Sequence, residues 1–143
     1  MEEQAMTNAL DLLLSNNEEL LQKPTKEFIV KRLSRGDVEF KLTLEAVSMN
    51  QFKHIQQMST DRKGQVDAIN VQVMLLTCGV REFNPKLDEN KDKLQETYKA
   101  LGVANAEGLV QKVLLPGEIS IIASEITELS GFGADMVEEV KNY

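Results

Sequence analysis

The chain has 143 residues, 42% of them apolar and 27% charged, with a formal net charge of −7. These are globular proportions and exclude a collagen, a coiled-coil rod and a wholly disordered chain. Apolar runs stay short, as at Val73–Leu76, where a membrane span needs about 20 such residues. One cysteine, one histidine and no tryptophan forbid an internal disulfide and leave most catalytic and metal-binding sets unassembled.

The charge is uneven along the chain. Residues 1–24 carry one lysine against five acids, residues 25–86 ten basic residues against seven acids, and residues 87–143 five lysines against eleven acids. A nucleic-acid binder shows a dominant basic face, and this mild basic middle does not build one, so no nucleic-acid partner is expected. The opening Met-Glu-Glu-Gln is acidic where a signal peptide carries positive charge, which predicts a cytoplasmic protein with no membrane partner.

Met6, Leu10, Leu13 and Leu14 recur at one helical face, so residues 1–15 are predicted as a helix. Ser15-Asn16-Asn17 ends or bends it, and Lys23-Pro24 stops any continuation. Two readings follow: a helix docked on its own core, or a detachable helix that docks on a partner. Residues 25–34 and 37–47 are predicted as a β-hairpin. Val38, Phe40, Leu42, Leu44 and Ala46 alternate with Glu39, Lys41, Thr43 and Glu45, which buries one face and wets the other. The first strand carries Phe28, Ile29, Val30 and Leu33, with Lys31 and Arg32 at the water or the edge. The tripeptide Arg35-Gly36-Asp37 is read as a turn in which glycine supplies a positive φ, not as an adhesion motif.

Ser48 is placed to cap a helix through Phe52, Ile55 and Met58. Residues 59–64 form a polar loop. Residues 65–80 are predicted as the most apolar helix, with Val66, Ile69, Val73, Leu76 and Val80 in one stripe and Gly79 near its end. Such a helix is a central core element or a subunit interface. Cys78 within it is expected to be buried and inert, and His54 a plain surface or boundary residue, so no Cys–His dyad is expected. Residues 81–85 are read as an extended connection and 86–90 as a charged, mobile one. Lys91–Leu101 follows as a helix closed by Gly102. A further helix begins at Ala104 or Asn105, with Leu109, Val110, Val113 and Leu114. The last clear helix, Pro116–Ser130, buries Ile119, Ile122, Ile126 and Leu129. Glu118 sits in its first turn, Glu125 and Glu128 face outward, and Gly131 is its left-handed stop. Phe132 is placed to pack back across that end.

The fold class is therefore α+β: an antiparallel β-hairpin packed on a mostly helical domain of five to six helices. Residues 1–24 are assigned to an N-terminal helical segment, 25–133 to a single α+β domain and 134–143 to a short acidic tail. Two strands alone are marginal, so they must pack on helices or pair an edge.

The stretch LVQKVLLPGEISIIASEITELSGFG, with FKLTLEAVSMNQFKHIQQM and FNPKL, resembles the tail assembly chaperones of long-tailed phages and defective prophages of Gram-positive bacteria, over roughly residues 25–133. The resemblance implies a non-enzymatic protein of the bacterial host cytoplasm, absent from the mature virion. It would coat the tape-measure protein, a very long helical protein that sets tail length, and keep it soluble until tail-tube subunits polymerise around it. No catalytic, cofactor-binding or metal-binding residue is assigned, and homo-oligomerisation stays open. Partner contacts are assigned to Met6, Leu10, Leu13 and Leu14 on the first helix and to Ile121 and Glu125 on the exposed margin of the last. The methionines, among them Met6, Met49, Met58, Met74 and Met136, either line an adaptable groove or, with Met74 in the core, lie scattered. The runner-up function is a dedicated secretion chaperone or another small acidic adaptor. An enzyme is disfavoured by the missing catalytic sets.

Overall fold

The computed structural model describes residues 8–133 and 137–139. Among these the chain forms six helices, α1 (Ala9–Leu20), α2 (Met49–Ser59), α3 (Ala68–Gly79), α4 (Lys91–Leu101), α5 (Ala106–Val113) and α6 (Pro116–Thr127), with two strands, β1 (Thr25–Ile29) and β2 (Lys41–Glu45), between α1 and α2. This is the expected α+β architecture of an antiparallel hairpin on helices. Residues 1–7, including Met6, and Met136 in the acidic tail lie outside the described residues.

The strands are shorter than their alternation predicts. Thr25 faces Glu45 and Ile29 faces Lys41. Beyond Ile29 the chain leaves the ladder in a 3₁₀ turn, Lys31–Leu33. The Ser34 hydroxyl then bridges that turn, donating to the Val30 carbonyl and accepting from the Phe40 amide. The alternation holds for Leu42, Leu44 and Ala46, all buried, and for Phe40, half-buried and packed on the core; it fails at Val38, 71% exposed, and on the other face at Glu45, which is buried. On the first strand Val30 is buried and Ile29 exposed. The tip is a tight turn, with Arg35 and Val38 bridged across a Gly36 whose φ is 57°. Arg35 spends its guanidinium on the Arg32 and Ser34 carbonyls.

The second edge of β2 is closed by the chain after α3. Leu44 forms a bridge with Val80, and the Thr43 amide donates to the Glu82 carboxylate at 2.8 Å. Arg81 reaches Glu45 at 3.0 Å and covers that nearly buried carboxylate. Residues 81–83 accordingly coil into a 3₁₀ turn, not the extended connection predicted. Residues 86–90 are not a loose charged linker: Asp88–Asn90 forms another 3₁₀ turn, and the Asn90 amide group donates to the carbonyls of Arg81 and Asn84.

α3 is the centre of the core, packed by α2, α5 and α6. Val73, Met74, Leu75, Leu76, Thr77 and Gly79 are buried on it. It starts at Ala68, later than predicted, because the Asp67 carboxylate accepts from the Ile69 and Asn70 amides and caps it there. Val66 therefore lies before the helix and Ile69 in its first turn, and both are exposed, not in a buried stripe. Gly79 is not a left-handed cap. A Cβ there would lie 2.7 Å from Ile126 Cγ2, so the glycine is what lets α3 and α6 touch. Cys78 is half-buried, less enclosed than expected, since it sits on the rim of α3 that looks out between α2 and α5.

The other helices start and stop where their signals lie. Ser48 and Gln51 form a reciprocal cap on α2, Asn105 caps α5, and Gly102 closes α4 at φ 69°. α6 gives way at Glu128–Phe132 to a wider π-turn ending on Gly131 at φ 98°. Phe132 does pack back, its ring centroid 5.7 Å from that of Phe52.

Gly79→Ala is expected to cost about 1–3 kcal/mol by overpacking. Denaturant unfolding measures it, and Ile126→Val in the same chain should recover part of the loss. Leu44→Ala should cost about 2–5 kcal/mol, whereas Val38→Ala, on the same predicted stripe, should stay within about 0.5 kcal/mol.

Candidate functional site

The candidate contact residues fall on two separate surfaces. α1 buries none of its residues against any element. Leu10, Leu12, Leu13, Leu14, Leu20 and Leu21 are all exposed, Leu14 to 81%. Its geometry is nonetheless well defined. Asn8 and Asp11 form a reciprocal cap at the start. The helix runs on through Ser15-Asn16-Asn17, which bends it at Asn16 (φ −135°) without ending it there as one prediction had it. Ser15 contributes to the break by turning its hydroxyl onto the Asp11 carbonyl. Among the described residues the leucine face of α1 therefore lies in water.

The second surface is the outer face of α6. Ile121 is 61% exposed. Glu125 is half-buried and does not face outward freely, because the Lys26 ammonium of β1 holds it at 3.3 Å. Two helical turns earlier, Glu118 takes a two-pronged contact from Arg32, with Nη2 at 2.8 Å and Nε at 3.0 Å. The same guanidinium donates to the Val113 carbonyl at 2.8 Å. The Glu118 carboxylate also accepts from the Leu115 amide at the helix start. Glu118 therefore ties the Leu-Leu-Pro-Gly-Glu junction of α5 and α6 to the hairpin. Arg32 and the Leu115 amide hold its carboxyl below the usual carboxylate range. Arg32 and Lys26 carried no signal in sequence beyond charge, because their partners lie 86 and 99 residues away.

The structure sets Cys78 and His54 on the wall of one cleft of about 290 Å³, with Asn50, Gln51, Met74, Asn84, Lys86 and Glu107. Sequence reasoning weighed the pair and set it aside without foreseeing this proximity. Its chemistry does not favour a nucleophile. Burial pushes the Cys78 thiol up, so the thiolate is scarce near neutral pH. Among the described residues no hydrogen bond joins the two side chains, and no group of three or more His, Cys, Asp or Glu is placed to hold a metal ion. An apolar groove of about 400 Å³ lies between the hairpin and α4–α5, lined by Phe40, Phe83, Leu94, Leu101, Leu109 and Val113. Met49 and Met58 are exposed singly and Met74 is buried, so the methionines scatter and line no common groove among the described residues. No helix among the described residues is long and apolar enough to cross a membrane.

The Arg32–Glu118 contact has a defined pH signature. A carboxyl whose folded value is lowered contributes stability that is present above its unfolded value, about 4.3, and is lost as pH falls through the lower folded value. The stability gap between the parent chain and Glu118→Gln should be constant above about pH 5.5 and close on further acidification. Urea unfolding at a series of pH values measures it. Compared with known proteins, the chain is matched over residues 10–142 by a family model described as a phage XkdN-like tail assembly chaperone protein. Neither a curated protein nor a solved structure matches it.

Proposed function

We propose, from the premise that the chain belongs to the phage XkdN-like tail assembly chaperone family, that it binds the tape-measure protein during tail assembly and keeps that long helical client soluble until tail-tube protein takes its place. The observation that carries this reading is α1, a capped helix with every residue exposed and six leucines facing water in and just after it. Burying a leucine contributes about 1.5–3 kcal/mol. A helix that gives this up against its own core is built to recover it against something else. A mostly helical client offers the matching surface, helix on helix at i, i+3, i+4 and i+7 spacing. The acidic residues Asp11, Glu18 and Glu19 keep the uncovered helix soluble. Ile121 on α6 adds a second apolar contact, flanked by the two anchored carboxylates Glu118 and Glu125. The role is a holding one in the cytoplasm of the bacterial host, in several copies per client. It needs no catalytic group or cofactor.

The test is co-expression with the tape-measure protein of the same phage or prophage. The full chain should co-purify with that protein and keep it in the supernatant. Leu10→Ser, Leu13→Ser and Leu14→Ser together should lower client affinity at least about tenfold while the thermal midpoint stays within a few degrees of the parent. Removing residues 1–21 should likewise leave a folded domain that binds poorly. If the full chain neither co-purifies with nor solubilises that protein, the reading fails. If the truncated chain unfolds, α1 is core and the division between segment and domain is wrong.

A further inference from the structure

The Cys78 cleft and the leucine face of α1 are neighbours by chain connection. Pro24 is fixed to the hairpin, its carbonyl accepting from the Ala46 amide. Only Gln22 and Lys23 separate it from the residues that finish α1. Lys23 already reaches across to the cleft, its ammonium 3.2 Å from the Gln51 side chain on the wall. Lys23 and Lys86 are also both near enough to Cys78 to favour its thiolate, although burial outweighs them.

We propose that α1 is a strap that folds back on Gln22–Lys23 and lays Leu10, Leu13 and Leu14 over the Cys78 cleft of its own chain. Charge supports the fit. α1 carries Asp11, Glu18 and Glu19 and no basic residue, while the cleft and its edge present Lys23 and Lys86 against one acid, Glu107. Size supports it as well. The helix is about 18 Å long at 1.5 Å per residue, and its hinge starts beside Gln51 on the cleft wall. A cleft of about 290 Å³ admits the side chains of one helix face and not a whole helix. The Asn16 bend lets the Leu20–Leu21 end and the Leu10–Leu14 end follow a curved surface. The short tether gives the strap an effective concentration in the millimolar range, above that of any second copy in dilute solution. The strap would cover the leucines in the absence of other partners. It stands apart from the client-binding reading, because no client is needed for it to close.

Cys78 is the single thiol of the chain and reports on the cleft directly. Its modification by a maleimide is measured in the full-length chain at low micromolar concentration. In the Leu10→Ser, Leu13→Ser, Leu14→Ser variant it should be at least about fivefold faster than in the parent, because the thiol is no longer covered. Equal rates overturn the proposal. Leu13→Cys in the parent background, treated with a short bismaleimide, should link to Cys78 within one chain in a yield independent of protein concentration. Cross-linked dimers whose yield rises with concentration assign the cleft to a second copy, and the absence of any cross-link leaves it uncovered. Either result overturns the strap. Co-purification of a client bears on neither measurement, so this idea and the chaperone reading fail separately.

Discussion

Four consecutive residues at the end of α3 hold the two halves of the molecule together. Gly79 carries no side chain, and only for that reason does Ile126 of α6 reach the backbone of α3. Val80 next to it bridges Leu44 and extends the two-stranded ladder by one contact. Arg81 covers the Glu45 carboxylate, and Glu82 accepts the Thr43 amide that a free edge would leave to water. A two-stranded sheet is marginal by itself. Here it is stable because the central helix runs straight into its open edge, so the helical core and the sheet become one packed unit through Leu44, Leu76, Val80 and Ile126, all essentially inaccessible to water.

The far side of the hairpin is tied down by charge. Lys26–Glu125 and Arg32–Glu118 place two contacts seven residues apart on α6, so β1 and the turn after it are moored along the length of that helix. Exposed ion pairs are individually weak. The Arg32 contact differs in being two-pronged and in using a further donor on the Val113 carbonyl, which fixes the angle at which α5 hands over to α6. The Pro-Gly at that junction permits a sharp turn, and Glu118 with Arg32 selects one geometry for it.

Against this moored body, α1 is the exception. It has the capping and leucine spacing of a stable amphipathic helix and none of the burial. A helix of about 12 residues is marginal in water by propensity alone, and here it draws no packing energy from the core, since its leucines stay exposed. The burial is thus uneven: the hairpin and the other five helices share one core, and α1 contributes nothing to it.

Local chemistry was readable from sequence wherever a residue's role is settled by its near neighbours. The Ser48 cap, the Gly102 and Gly131 stops, the Gly36 turn, Pro116 at a helix start and the leucine face of α1 all follow from φ preferences, capping and a 3.6-residue period. Alternation placed Leu42 and Leu44 inside correctly. It failed at Val38, which is exposed, and at Glu45, which is buried, because period two states which side a residue faces and not what packs there. Gly79 was legible as a glycine but not as a contact, since the atom it makes room for belongs to Ile126, 47 positions later. The same holds for Arg32 with Glu118, for Glu82 with Thr43, and for Cys78 and His54 meeting on one cleft wall. Sequence by itself determined the fold class, most of the helices and the family to which the chain belongs. Only the tertiary structure decided which edges are sealed, which carboxylates are held and which leucines are left in water, because burial depends on the surfaces that distant segments bring together.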